Sequence, residues 1–283
     1  MKDIETVANA VLLMDKQLRE ELFIRDGKIQ TKKLWENTYI KKQLDKRKNG
    51  GAFTVSDHIR GMVYSMLTSG ASWNRLEPHI DMVTGQIPVI DDIFYQYDVT
   101  DLQNADPKTI VGRVMEYRLG TPYLKNQINA LVSVNVGRLL NIEKEYGGVD
   151  HFYQSLADKN DNLKTLVKEL SAPGKPHKFV QLAEALTAEY LKNVGYDIGK
   201  PDRHTRRILG SKHLGCSEHQ DVPPYEAIDI IADIAKSLNK PAAEVDYILW
   251  AYCANGFGEV CTKGTKKKPK CYKCVVTYCN RKE

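Results

Sequence analysis

Apolar positions along this chain recur with helical spacing, and no convincing period-two strand is present. Ile4, Val7, Ala8, Val11 and Leu12 fall on one face, and Ile59, Met62, Val63, Met66 and Leu67 on another, with Ser56 placed to cap the second helix. The stretch DPKTIVGRVMEYRLG carries helix punctuation: Asp106 as cap, Pro107 in the first turn, Gly120 as stop. LKNQINALVSVNVGRLLNIEKEYGG reads as one long helix closed by Gly147 and Gly148. NLKTLVKEL, FVQLAEALTAEYLKNVG, PPYEAIDIIADIAKSLNK and PAAEVDYILWAYCAN continue the pattern, so the predicted class is all-α. Breaks are expected at Asp45 to Phe53, around Gly50 and Gly51, at Ser171 to Lys178, and in the cysteine-rich segment near the end. There is no internal repeat.

With 283 residues the chain can hold one large domain or two ordinary ones. Its 42 % apolar and 27 % charged content is that of a soluble globular protein, and no apolar run approaches a membrane span. The first residues, MKDIETVANAVLLMDKQLREEL, lack the basic start and small-residue cleavage site of a signal peptide. The expectation is a cytoplasmic protein, nucleoid-associated in a bacterium or archaeon, with no membrane partner.

Cysteine usage changes this picture. Four of the six cysteines fall in the last 23 residues, a clustering that reads as metal ligation before disulfide formation. Cys261, Cys271, Cys274 and Cys279 are spaced C-x9-C-x2-C-x4-C. Four thiolates suit an iron–sulfur cluster. They also suit a tetrahedral zinc, which prefers two Cys-x2-Cys pairs where this chain has one. Cys216 and Cys253 read as small buried residues.

The charge is local as well. Residues 251–283 carry eight Lys/Arg and two Asp/Glu, a net of +6, so the rest of the chain is about −1. Such a concentration is that of one contact surface on a polyanion, or of a solvated tail. Lys263, Lys266, Lys267, Lys268 and Lys270 lie between the first two tail cysteines, where a rigid loop would turn them toward phosphates.

Phe179 to Gly210 reads helix, break, helix. Pro201 fits the first turn of the second helix, with Asp202 beside it and the cations of RHTRR following. A carboxylate there is kept ionised by the helix dipole and free backbone N–H groups. It is either a cap or a chemical group.

These segments resemble the helix-hairpin-helix base-excision DNA glycosylases, the superfamily of endonuclease III and the adenine glycosylases. KPDRHTRRILG is similar to the family element V-D-T-H-V-x-R and puts Asp202 on its catalytic aspartate. FVQLAEALTA resembles the hairpin L-x-G-V-G-x-K-T-A. VYSMLTSGASW, from Val63 to Trp73, resembles the helix-end motif L-S-A-Q-T, and YDVTDLQNADPKTIVGRVMEYRLGTPYLKNQINAL the region after it. The resemblance runs from about Ser56 to Cys279. Several members end in a [4Fe–4S] site spaced C-x6-C-x2-C-x5-C, which implies a structural cluster on Cys261, Cys271, Cys274 and Cys279 ahead of zinc.

The resemblance implies DNA contacts at Gln181, Leu182, Ala183 and Ala185 and at Lys263, Lys266, Lys267 and Lys268. It implies a base pocket at Gly70, Ser72 and Trp73. It also implies two helical subdomains with a DNA-binding cleft between them. Residues 1–55 would pack with a cluster domain of residues 192–283, and residues 56–191 would form a helical barrel ending in the hairpin. Three departures refine the reading. Ala185 stands where bifunctional members carry a nucleophilic lysine, so a monofunctional enzyme without Schiff-base chemistry is implied. Gln181 and Ala183 replace the hairpin glycines, and Gly70 stands where the family often has Gln. No glutamate of the adenine-glycosylase kind is found.

The expected activity is excision of a modified or mismatched base from double-stranded DNA by a monomer, leaving an abasic site. The rivals are a catalytically silent damage-binding protein of the same fold and a zinc-ribbon DNA-binding protein.

Overall fold

The computed structural model describes residues 1–70, 73–157, 159–263 and 268–279. Most are helical, as the periodicity predicts; the described strands are a single short hairpin, Ile24–Arg25 paired antiparallel with Lys28–Ile29. The chain divides into two compact units, one of Met1–Thr38 with Asp197–Glu283 and one of Tyr39–Tyr196. The sequence reading put the breaks at 55/56 and 191/192. The first unit opens with α1 (Ile4–Gln17). The second contains α2 (Tyr39–Lys48), α3 (Val55–Leu67), α4 (Trp73–Leu76), α5 (Pro88–Ile93), α6 (Val99–Asn104), α7 (Pro107–Glu116), α8 (Leu124–Ala130), α9 (Val136–Tyr146), α10 (Val149–Leu156), α11 (Lys164–Ser171) and α12 (Glu184–Asn193). The first unit resumes with α13 (Arg203–Leu209), α14 (Pro224–Leu238) and α15 (Ala242–Cys253). None of these helices is long and apolar enough to cross a membrane.

In the first unit α1 starts on Asp3, whose carboxylate accepts from the Thr6 amide at 2.8 Å. It packs on α14 and α15. Val7, Ala8 and Val11 are buried as the periodicity predicts, whereas Leu12 is exposed and Ala10 and Met14 complete the apolar face. Ile228, Ile231 and Ile234 of α14 and Val245, Ile248 and Leu249 of α15 are buried with them, each side chain contributing about 1.5–3 kcal/mol of burial. The Asp197 carboxylate caps α15 by accepting from Ala243 N at 2.9 Å. Gly199 lets the next segment lie on α14: a Cβ there would come 2.5 Å from Ile231 Cδ1.

The second unit is built around α3 and α12. The α3 cap is a box of Thr54 and Asp57, two residues before the predicted Ser56. A Cβ on Gly61 would meet Val194 Cγ1 at 2.9 Å, so this glycine sets how closely the two helices approach. A buried polar chain ties the unit together. His58 Nδ1 lies 2.7 Å from Tyr190 Oη, which is 2.9 Å from Tyr153 Oη. Asp150 lies 3.3 Å from His58 Nε2 and 2.8 Å from Arg47 Nη2. Burial pushes the His58 imidazole down despite the nearby carboxylate, so it is neutral at neutral pH.

Several boundaries differ from the sequence reading. Pro107 and Asp106 begin α7 as predicted, but it ends at Glu116, short of Gly120. The long helix closed by Gly147 is present as α8 and α9, joined by a π turn over Leu131–Asn135. Residues 45–48 belong to α2, and the loop that begins after Ser171 continues to Ala183. Pro201 precedes the cap of α13 instead of entering its first turn.

Candidate functional site

Asp202 is the N-cap of α13, with extended backbone at φ −82° and ψ 173°. One carboxylate oxygen, Oδ1, accepts from His204 N at 2.7 Å and Thr205 N at 3.0 Å. Oδ2 makes no hydrogen bond among the described residues. The side chain is half-buried. Two amide donors and the positive end of the helix therefore fix one oxygen and leave the other without a hydrogen bond among the described residues. Thr205, fully buried, donates to Asp246 of α15 at 3.1 Å and anchors the helix beneath the carboxylate. His204 is pushed down by burial, and its Nδ1 is covered without a protein partner among the described residues.

The same helix reaches the cysteine tail. Arg207 donates through Nη2 to the Cys261 carbonyl at 2.5 Å and also hydrogen-bonds the Cys253 thiol. The tail is wrapped around Tyr252 of α15. The Tyr252 carbonyl accepts from Val260 N and Cys261 N at 3.0 and 3.2 Å, and its hydroxyl accepts from Val275 N at 3.1 Å and lies beside Cys274. Lys270 N donates to Val260 O at 2.8 Å and returns the loop to its start.

No disulfide joins the cysteines among the described residues. Hydrogen bonding from the buried Cys253 thiol, with His213 and Arg207, holds the Cys261 thiol well below its ordinary range, in the thiolate form that metals bind. Cys253 is therefore more than the filler its sequence context implies. The Arg207 guanidinium beside this thiolate adds positive charge there. Among the described residues no three His, Cys, Asp or Glu side chains stand at metal-ligand spacing. Ligation by Cys261, Cys271, Cys274 and Cys279 together thus requires the half-buried sulfurs to draw in on the metal. Lys263 and Lys268 are exposed, whereas Lys266 and Lys267 lie outside the described residues.

In the second unit, the segment read as the hairpin is the end of the loop between α11 and α12. Gln181 and Ala183 are exposed and Leu182 is fully buried, so Leu182 can offer DNA its backbone only. Ala185 is half-buried in the first turn of α12, and its N-cap Ala183 supplies no side-chain acceptor. Gln181 has φ +64°, a left-handed conformation that favours glycine. Because its side chain is exposed, Gln181→Gly is expected to raise stability by about 0.5–1 kcal/mol. A urea midpoint unchanged or lowered would show that Gln181 makes a compensating contact.

Gly70 is exposed with φ +101° after α3, and Trp73 is half-buried at the start of α4. Ser72 lies outside the described residues. The sequence reading missed Arg207, Tyr252 and Asn135, the last bonded to the backbone just before Gln181. Asn135 did leave a signal: an amide directly between Val134 and Val136 in a helical stretch. No protein-family model, no curated protein and no solved structure matches this chain.

Proposed function

We propose that the chain is a monofunctional DNA N-glycosylase, which hydrolyses the bond from a modified or mismatched base to its deoxyribose in double-stranded DNA. The observation that carries this reading is Asp202: a carboxylate with one oxygen fixed by two backbone amides and the other unbonded, in a segment resembling the glycosylase motif. The target base must leave the stack before reaction. As the C1′–N bond breaks, its electron pair leaves with the base and positive charge grows on the sugar. Asp202 stabilises that charge and orients a water, whose oxygen bonds to C1′ and whose proton passes to the base or to solvent. Ala185 offers no amine, so no imine forms and the strand is left intact at an abasic site.

The Gln181–Ala183 backbone, with Lys263, Lys266, Lys267 and Lys268, supplies phosphate contacts. Gly70, Ser72 and Trp73 are assigned to base recognition by the resemblance, where Trp73 stacking would contribute about 1–3 kcal/mol. Cys261, Cys271, Cys274 and Cys279 would hold a [4Fe–4S] cluster, which would supply a charged structural anchor. Arg207 joins that anchor to the helix of Asp202. Iron and sulfide in the purified protein support the cluster; zinc instead supports the ribbon reading.

The test is base release from duplexes each carrying one modified or mismatched base, read with and without alkali. Breakage only after alkali is expected. Breakage without alkali identifies a second, amine-based activity. Duplex binding with no release from any substrate favours the catalytically silent damage-binding protein.

A further inference from the structure

We infer that Asn135 is a positioning residue for duplex binding, one that fixes the backbone carrying Gln181–Ala183. The inference rests on the glycosylase reading and assigns that reading a residue outside every motif that suggested it. Asn135 is fully buried at the end of the π turn. A π turn inserts a residue and rotates the positions beyond it, a common device at functional sites. Here it presents the Asn135 carboxamide to the loop. Oδ1 accepts from Val180 N at 2.9 Å and Nδ2 donates to Val180 O at 3.0 Å. Both polar groups of one peptide residue are therefore held by one side chain, directly before the left-handed Gln181.

The rest of the loop has anchors of its own. Phe179 and Leu182 are fully buried, Phe179 N donates to Leu170 O at 2.9 Å, and His177 Nδ1 lies 2.8 Å from Glu169 Oε1. Without Asn135 the loop stays on the unit but loses the two bonds that set the orientation of the peptides at Gln181. Those peptides are exposed. Loss of their orientation is therefore read out in DNA affinity more than in folding.

The experiment compares wild type, Asn135→Ala and Asn135→Asp, each confirmed as folded by thermal melt. Fluorescence anisotropy gives Kd for a duplex carrying the preferred base, across a salt series, and single-turnover excision gives the rate at saturating DNA. Asn135→Ala is expected to weaken binding about tenfold to thirtyfold. Its salt slope should stay close to that of wild type, because no cation is removed. Its saturating rate should stay within about threefold of wild type, because Asp202 is untouched.

Asn135→Asp keeps the acceptor and loses the donor, which a protonated carboxyl restores. Its affinity relative to wild type should therefore recover between pH 7.5 and about pH 5, as the introduced carboxyl takes up a proton. This arm decides the matter if Asn135→Ala does not fold. Wild-type affinity in folded Asn135→Ala, or no recovery in Asn135→Asp, overturns the positioning role and leaves the glycosylase reading standing. Wild-type protein that binds no duplex overturns both.

Discussion

Asp202→Asn is expected to slow single-turnover base release by about 10³-fold or more, with duplex affinity and melting temperature close to wild type. The charge is what the substitution removes. Asn keeps a side-chain oxygen that can accept from His204 N and Thr205 N, and it ranks with Asp as an N-cap, so α13 stays in place. What disappears is the negative charge on Oδ2, which faces the cationic sugar in the proposed reaction. Asp202→Ala separates the two roles: it also loses the cap, at about 1 kcal/mol of stability. Release by Asp202→Asn within tenfold of wild type would reduce Asp202 to a helix cap and sink the assignment. Unchanged release with a clear stability loss in Asp202→Ala would say the same from the other side.

Gly195→Ala should be the most damaging conservative change in the second unit, destabilising it by about 3 kcal/mol. Gly195 ends α12 in a Schellman arrangement, with Gly195 N donating to Lys192 O at 3.0 Å and Tyr196 N to Leu191 O at 2.9 Å. Its φ is +80°, and a Cβ would lie 2.5 Å from the Gln43 carbonyl oxygen and 2.8 Å from Arg47 Cβ. Neither neighbour yields easily. Gln43 offers a backbone atom of α2, and Arg47 is held by hydrogen bonds to the Val194 carbonyl at 2.8 and 2.6 Å and by Asp150. Strain at the positive φ adds about 1–2 kcal/mol to the steric cost. Chemical denaturation measures it; a loss under 0.5 kcal/mol would mean that α2 and α12 are not packed as described.

Much of the fold was legible because burial imposes periodicity. Val7, Ala8 and Val11 declared α1, and Asp106 with Pro107 declared the start of α7, since local chemistry fixes both. Boundaries set by tertiary contacts were not legible. Ser56 and Thr54 are both plausible caps, and only the reciprocal bonds of Thr54 with Asp57 decide between them. The start of α12 at Glu184 was missed because Phe179 and Leu182 are buried from a loop, which looks like helical periodicity in one dimension. At the candidate site, Asp202 was legible as a helix cap, because an aspartate just before RHTRRIL fits that position. Asn135 and Arg207 act through backbone carbonyls and amides distant in sequence, and a carbonyl leaves no trace in residue identity.

The first unit is assembled from two stretches of chain separated by the whole of the second. During synthesis, α1 leaves the ribosome roughly 200 residues before α14 and α15, the helices that cover its apolar face. The second unit, one continuous stretch, can complete its contacts while α1 waits. Translation order thus makes the cysteine-bearing unit the last to mature. A nascent chain stalled before α14 would display a finished second unit beside an exposed apolar helix, the kind of species that chaperones hold.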